Sequence, residues 1–418
     1  MKYPKPEDAN MKYVKRELER KFNKMNEHFK AILVTGARQV GKTTMLKHLA
    51  EGTNRTYVSL DNRMARELAK SDPALFFQTY QPPILIDEIQ KAPELFEQIK
   101  IMCDESDEKG QFWITGSQQY QMMKQARETL AGRIGILNLY SLSQREKQGI
   151  LVDDDLDFSL QGLLKRQQLF EKNNIVNVFE HIWQGGMPDV QNVDNEIRDE
   201  YFNSYVETYL MRDATEVGGI SDTVRFSKFL SACAALVSQQ VNYSTLAEAA
   251  EISEPTAKAW LNVLQGLGIV YLLTPYENNE LKRLVKMPKL YFCDTGLCAY
   301  LSMWLSPATL MNGAASGHYY ENYVVMELAK TYAYAKSKAN LSYYRDSNAK
   351  EIDVFIEEND TIHPIEIKKS ANPDKRETKK YAVIDKTSLK RGDGGIICMC
   401  EEVMPIDSQN CFIPSNII

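Results

Sequence analysis

Two groups of residues in this chain have types and spacings that can do chemistry. The first is Gly36-Ala37-Arg38-Gln39-Val40-Gly41-Lys42-Thr43, followed by Thr44, which matches G-x-x-x-x-G-K-[ST]. Glycines let consecutive backbone N–H groups turn inward around phosphate oxygens, and a helix starting behind them adds positive dipole. Residues 36–44 are therefore expected to line a nucleotide, with Lys42 on the β- and γ-phosphates and the Thr43 hydroxyl on Mg2+. Ile84-Leu85-Ile86-Asp87-Glu88 is an aliphatic run ending in two carboxylates. Asp87 is expected to hold the magnesium, mostly through water, and Glu88 to polarise the attacking water. ATP and Mg2+ are the implied ligands. Trp113-Ile114-Thr115-Gly116-Ser117 is a further buried strand whose end should lie beside Asp87, with Ser117 or Gln118 touching the γ-phosphate or the water. Arg133, in Leu130-Ala131-Gly132-Arg133, has the chemistry of an arginine finger, acting in its own subunit or in a neighbour.

The second group is Glu351, Asp353, Glu366 and Lys368. Residues two apart on a strand share a face, so Glu351 projects with Asp353 and Glu366 with Lys368. A turn near Glu358-Asn359-Asp360 would pair the two strands as a hairpin. Asp353 and Glu366 then have the oxygen donors for one Mg2+, Glu321 on the preceding helix completes the set, and Lys368 orients the metal-bound water. The plain alternative is a charged face on an edge strand. Lys368, Lys369, Lys375, Arg376, Lys379 and Lys380 form a local basic patch suited to a phosphate backbone or simply to solvent.

The elements that must position these groups are legible in outline. Ala31-Ile32-Leu33-Val34-Thr35, Thr56-Tyr57-Val58-Ser59-Leu60, Ile84-Leu85-Ile86 and Gln111-Phe112-Trp113-Ile114-Thr115 read as short buried strands. Helical stretches lie between them, which predicts a parallel sheet covered on both faces. Asp153-Asp154-Asp155-Leu156-Asp157 reads as a linker, and residues 160–235 as mostly helical. Residues 241–293 read as a winged helix. A helix carries Leu246, Ala247 and Ala250, Glu251-Ile252-Ser253 turns, and a second helix runs from Glu254 to Leu267 with Gly268 as C-cap. The strand Ile269-Val270-Tyr271-Leu272-Leu273 and a loop with Asn278-Asn279 suggest the wing. Lys282, Arg283, Lys286 and Lys289 form a basic stripe for positioning contacts to DNA, the alternative being a packing or dimerisation module. A last segment has a helix over residues 319–334, then strands at 341–344, 351–356 and 363–368.

Composition narrows the class. With 44% hydrophobic and 25% charged residues the chain is an ordinary globular one, and its 418 residues imply about two to four domains. No apolar run reaches the roughly 20 residues of a membrane-spanning helix, and Met1 to Asp8 lack a signal-peptide core. No membrane partner and a cytoplasmic location are expected. The cysteines Cys103, Cys233, Cys293, Cys298, Cys398, Cys400 and Cys411 form no C-x-x-C pair and read as packing residues, Cys398 and Cys400 on one strand face. A net charge of −6 excludes a protein that wraps nucleic acid by overall basicity, so DNA contact needs a local patch.

Residues 36–43, Asp87-Glu88-Ile89-Gln90, Thr115-Gly116-Ser117 and Leu130-Ala131-Gly132-Arg133 together resemble a large bacterial and archaeal family of AAA-type P-loop ATPases. The resemblance extends through Tyr209-Leu210-Met211-Arg212-Asp213, Lys286-Met287-Pro288-Lys289-Leu290-Tyr291-Phe292 and Asp294-Thr295-Gly296-Leu297. Met211 departs from it, standing where the family more often has an acidic or polar residue. The family's C-terminal domain, of unknown function, is related to PD-(D/E)xK nucleases, and Asp353, Glu366-Ile367-Lys368 and Glu321 are similar to that core. The implied organisation is multidomain α/β. It comprises an AAA-type P-loop domain (1–150), a helical linker region (151–240), a winged helix (241–305) and an α/β PD-(D/E)xK-like domain (306–418). The function it implies is ATP hydrolysis whose nucleotide state controls a DNA-directed, Mg2+-dependent nuclease-like domain. The alternative is a nucleotide-switched DNA- or protein-binding module with an inactive nuclease-like fold. A homo-oligomer is compatible with both.

Overall fold

The computed structural model describes residues 13–116, 126, 128–152, 154–172, 174–276, 287–346 and 350–418. Ser117, Gln118, Asp153, Asn278, Asn279, Lys282, Arg283 and Lys286 lie outside the described residues.

Five short strands build the first sheet: β1 (Ala31–Thr35), β2 (Thr56–Ser59), β3 (Ile84–Asp87), β4 (Phe112–Thr115) and β5 (Ile134–Asn138). Their order is β2-β3-β4-β1-β5, and every pairing is parallel. Alternation divides β1 between two cores. Ala31 and Leu33 join one with Ile84, Ile86, Phe112 and Ile114, while Ile32 and Val34 join the other with Leu85 and Trp113. A parallel sheet needs both faces covered, which explains the near-continuous apolar runs.

The core on the Ile32–Val34 side does not stop at a domain boundary. It continues through Phe202, Leu230, Leu261 and Tyr291 to Ile417 and Ile418 at the other end of the chain. The acidic stretch expected to be a linker is part of this packing. Leu156 and Phe158 are buried, Phe158 stacks on His363 at 5.6 Å between centroids, and Asp155 accepts from the N–H groups of Lys336 (2.9 Å) and Ser337 (3.0 Å). Apolar residues interleaved with the aspartates anchor what charge density alone would leave in solvent.

The described residues between Leu160 and Ala235 are mostly helical, with a π-helical turn at Tyr205–Leu210 between the helices Asn195–Ser204 and Met211–Gly218. Helices Tyr243–Ala250 and Glu254–Gly266 follow, separated by Glu251 at φ 56° and capped by Ser253. Then β6 (Val270–Leu273) pairs antiparallel with β7 (Lys289–Phe292).

The helix Ser316–Tyr334 is buried along most of its length and wedges between the first sheet and the last. The Tyr140 N–H donates to the Tyr334 hydroxyl (2.9 Å), Gln144 N–H to Glu327 (2.9 Å) and Lys330 to the Leu142 carbonyl (3.0 Å). Beyond it, β8 (Asn340–Arg345), β9 (Glu351–Glu358) and β10 (Thr361–Lys368) form an antiparallel meander. Asn359 and Asp360 both have positive φ, 47° and 60°, the two-residue hairpin turn that matches strand twist. β11 (Lys390–Arg391) and β12 (Gly394–Cys398) pair parallel to β10, β14 (Asn410–Pro414) pairs parallel to β12, and β13 (Met404–Pro405) pairs antiparallel to β14. All seven cysteines are buried and unbridged, as packing residues should be.

Candidate nucleotide site and the C-terminal carboxylate cluster

The phosphate loop leaves β1 at Thr35 and enters the helix Lys42–Ala50. Two glycines shape it. Gly36 has φ +147°, and a Cβ there would stand 2.2 Å from the Leu139 carbonyl oxygen. Gly41 has φ +92° and caps the helix in the left-handed region, where side chains are strained. Lys42 is buried and folded back on the loop, donating to the carbonyls of Gly36 (3.1 Å) and Ala37 (2.7 Å). Burial pushes its ammonium down to about 8, with the Glu88 carboxylate opposing. Thr44 is exposed on the first turn of the helix.

Asp87 is the hub of the site. Thr43 Oγ1 donates to its Oδ1 at 2.6 Å, Thr115 Oγ1 to the same oxygen at 2.8 Å, and the Tyr57 hydroxyl to Oδ2 at 3.2 Å. Strand order explains the meeting, because β4 lies between β1 and β3 and delivers Thr115 between Thr43 and Asp87. All three donors are neutral, so none of them brings a countercharge. A hydroxyl and a carboxylate in contact are the hard oxygen donors that Mg2+ takes, and this set fits it. Glu88 follows at φ 61°, ψ 45°, an uncommon conformation for a residue with a side chain, and accepts from Gln90 Nε2.

The loop is also gripped by residues far from it in the chain. Arg16 Nη1 donates to the Val40 carbonyl (2.7 Å), and the Tyr201 hydroxyl donates to Gln39 Oε1. Arg38 makes a two-point pair with Asp213, through Nε to Oδ2 and through Nη2 to Oδ1 at 2.8 Å. Sequence reasoning missed Arg16, Tyr57, Thr115, Tyr201 and Asp213 as site residues. Thr115, a hydroxyl ending a buried strand beside the expected Asp87, was the one with a readable signal.

Arg133 is elsewhere. Its carbonyl accepts from Ala31 N–H (3.3 Å) and its guanidinium pairs with Asp104 in the open. That is the N-terminal edge of the sheet, and the phosphate loop is at the C-terminal edge. A five-residue strand, about 16 Å long, separates them, so of the two placements left open by the sequence Arg133 is not beside the phosphate loop of its own subunit.

In the C-terminal sheet the hairpin brings Asp353 and Glu366 close, with the Ile367 N–H donating to Asp353 Oδ2 at 2.9 Å. Sequence reasoning missed what stands among the carboxylates. Lys289, from β7, puts its ammonium 2.6 Å from Glu351, 3.0 Å from Glu321 and 3.6 Å from Asp353. The Tyr291 hydroxyl also donates to Glu321 (2.8 Å). Lys368 and Lys380 (2.7 Å) both reach Glu366 Oε1, while Oε2 is buried without a partner. Burial, followed by the Asp353 charge, pushes Glu321 and Glu366 up to about 7. Burial would lower Lys289, but Glu321, Asp353 and Glu351 outweigh it and hold the ammonium charged.

Among the described residues, no group of three or more His, Cys, Asp or Glu is arranged to hold a metal ion. The Glu321–Asp353–Glu366 set does not fit a divalent cation in this arrangement, because its oxygens are already paired with ammonium groups, Lys289 on Glu321 and Asp353, and Lys368 and Lys380 on Glu366. The same contacts remove some members of the expected basic features, while Lys375, Arg376 and Lys379 of the patch are exposed. Lys289 is buried rather than part of an exposed stripe, Lys368 and Lys380 are committed to Glu366, and Lys369 donates to Ser316 Oγ (2.8 Å).

Comparison with known proteins agrees with the first site and leaves the second open. Residues 28–148 match the family model described as an AAA domain. Residues 176–308 and 316–418 match two domains of unknown function, DUF8612 and DUF4143. Uncharacterized proteins of Mycobacterium bovis and Mycobacterium tuberculosis are each 25% identical over 388 residues, 92% of this chain and 80% of theirs. A Walker-type ATPase of Pyrococcus abyssi aligns at 15% identity over 71% of this chain and 98% of its own, with a TM-score of 0.43. A RuvB variant of Thermotoga maritima aligns at 18% identity over 62% of this chain and 88% of its own, with a TM-score of 0.31. At those scores the two solved structures add nothing to the assignment. No helix among the described residues is long and apolar enough to cross a membrane. The family match and the geometry around Lys42 and Asp87 make the N-terminal region an ATPase-like P-loop domain of the AAA type.

Proposed function

We propose that this chain binds and hydrolyses ATP with Mg2+, and that the nucleotide state is passed to the middle and C-terminal parts of the molecule. The observation that carries the reading is the 2.6 Å contact from Thr43 to Asp87 beside a buried Lys42. The triphosphate takes the inward amides of residues 36–44, and Lys42 exchanges two carbonyls for phosphate oxygens. Thr43 and Asp87 would hold the magnesium, which when bound screens the phosphate charge and orients its oxygens. Glu88 orients the attacking water and takes one of its protons. The water oxygen bonds to the γ-phosphorus, the bond to the β–γ bridging oxygen breaks, and ADP leaves with that electron pair. The proton passes from Glu88 to the phosphate product. Phosphate release by the purified chain, abolished in Lys42→Ala, is the test. A chain that binds no fluorescent ADP overturns the reading.

Of the two C-terminal readings, the lysine-filled carboxylate cluster favours a nuclease-like fold that does not cleave. In this reading the middle and C-terminal parts bind DNA or a protein under nucleotide control. Linear and plasmid DNA incubated with Mg2+ and ATP should remain intact. Cleavage that disappears in Asp353→Ala and Glu366→Ala would overturn this half of the proposal and leave the ATPase half standing. Arg133, on the surface and remote from its own phosphate loop, suits a neighbouring subunit. A specific ATPase rate that rises with protein concentration and loses that rise in Arg133→Ala would support a homo-oligomer.

A further inference from the structure

Arg133 is remote from the phosphate loop of its own subunit, and that loop carries a second cation, Arg38, within the same chain. We propose that Arg38 is a catalytic residue of the ATPase site, held at rest by Asp213 and transferred to the γ-phosphate when ATP binds. The inference rests on the ATPase reading above and adds the group that neutralises its transition state.

The geometry is local. Lys42 Nζ lies 2.7 Å from the Ala37 carbonyl oxygen, and that carbonyl carbon is bonded to the Arg38 nitrogen. The ammonium that must move onto the β- and γ-phosphates therefore rests against the peptide that leads into Arg38. Arg38 thus follows, in the same loop and the same subunit, the peptide on which the phosphate-binding ammonium rests.

The resting position is built as a clasp. Two guanidinium nitrogens face the two oxygens of Asp213, and the Tyr209 ring lies beneath the guanidinium at 5.7 Å. The Arg38 and Asp213 side chains retain only 16% and 5% of their exposure. The planar fork that fits a carboxylate at two points also fits phosphate oxygens, so the clasp and the nucleotide compete for one group. The triphosphate brings more negative charge than one carboxylate, and that charge grows on the equatorial oxygens as the bond breaks.

Asp213 is not stranded by the exchange. Arg212 Nε, half exposed, already lies 3.9 Å from Asp213 Oδ1 and 4.0 Å from Glu216 Oε1, so a cation shared with Glu216 stands ready to close on it. Both residues sit on the helix Met211–Gly218, directly after the π-helical turn Tyr205–Leu210. Such turns are irregularities that recur at functional sites, and this one places the exchange where a helix can change register.

The test uses the full chain and two ligands, ADP alone and ADP with aluminium fluoride, which mimics the transferring phosphoryl group. Arg38→Ala should lower kcat about 100-fold or more, abolish the tighter binding of ADP with aluminium fluoride, and leave ADP affinity close to wild type. Arg38→Lys should recover only a small part, since an ammonium cannot make the two-point contact. Asp213→Asn, which weakens the clasp without removing the cation, should raise kcat. Arg38→Ala turning over like wild type, an equal loss for both ligands, or Asp213→Asn as inactive as Arg38→Ala would each overturn the inference. Wild-type protein that neither binds nor hydrolyses ATP would instead sink the ATPase reading from which it starts.

Discussion

Asp87 and Asp353 are both strand aspartates near other acidic residues, yet the molecule treats their charges in opposite ways. Asp87 is approached by three hydroxyls, from Thr43, Thr115 and Tyr57. Such donors orient a carboxylate without bringing a countercharge of their own. Asp353 shares the Lys289 ammonium with Glu321 and Glu351, and its neighbour Glu366 is covered by Lys368 and Lys380. There the countercharge is covalently part of the chain. A carboxylate cluster becomes a cation site or a structural ion network according to whether its partners are neutral or charged.

The comparison breaks most visibly at Asp87. Asp87→Asn should reduce kcat for ATP hydrolysis by about 1000-fold, by analogy with removing a transition-state charge partner, while the fold melts close to wild type. Phosphate release and a thermal scan read the two effects separately. If hydrolysis survives, the hydroxyl-held carboxylate is not the cation seat. The matching change in the second cluster is Lys289→Ala. It leaves three acidic side chains without their shared ammonium and should cost about 3–5 kcal/mol of stability, read by urea denaturation. A variant as stable as wild type would mean that Lys289 is a passenger in the cluster.

A pH series sharpens the contrast. Glu321 and Glu366 are pushed up to about 7 from an ordinary 4.5, by burial first and the Asp353 charge second. Between those two values the folded chain holds protons that the unfolded chain has released, so stability falls as pH rises through 4.5 to 7. The melting temperature should therefore climb as pH is lowered from above 7 into that window, and Glu366→Gln should flatten the climb. A melting temperature that drops steadily on acidification would contradict the raised carboxyls. The smallest expected effect is Thr115→Val. It removes one of two donors to Asp87 Oδ1 and should slow hydrolysis by about five- to tenfold, with little change in nucleotide affinity.

The amino-acid sequence alone determined the features that are local in the chain. A glycine-bracketed loop between an aliphatic strand and a helix, an aliphatic run ending at Asp87, and a hairpin at Asn359-Asp360 follow from backbone sterics, period-two alternation and turn chemistry over a few residues. What only the tertiary structure decided was which distant groups meet. Thr115 reaches Asp87 because β4 is inserted between β1 and β3, and Asp213 reaches Arg38 from 175 residues away. Lys289 enters the Glu321 and Glu351 carboxylates from a different sheet. Arg133 faces away because a parallel strand puts its first residue at the opposite edge from the loops that follow its neighbours. The physical reason is common to all four. Charge and hydroxyl chemistry act over a few ångströms, and packing of apolar faces, not spacing along the chain, sets which groups come within that reach.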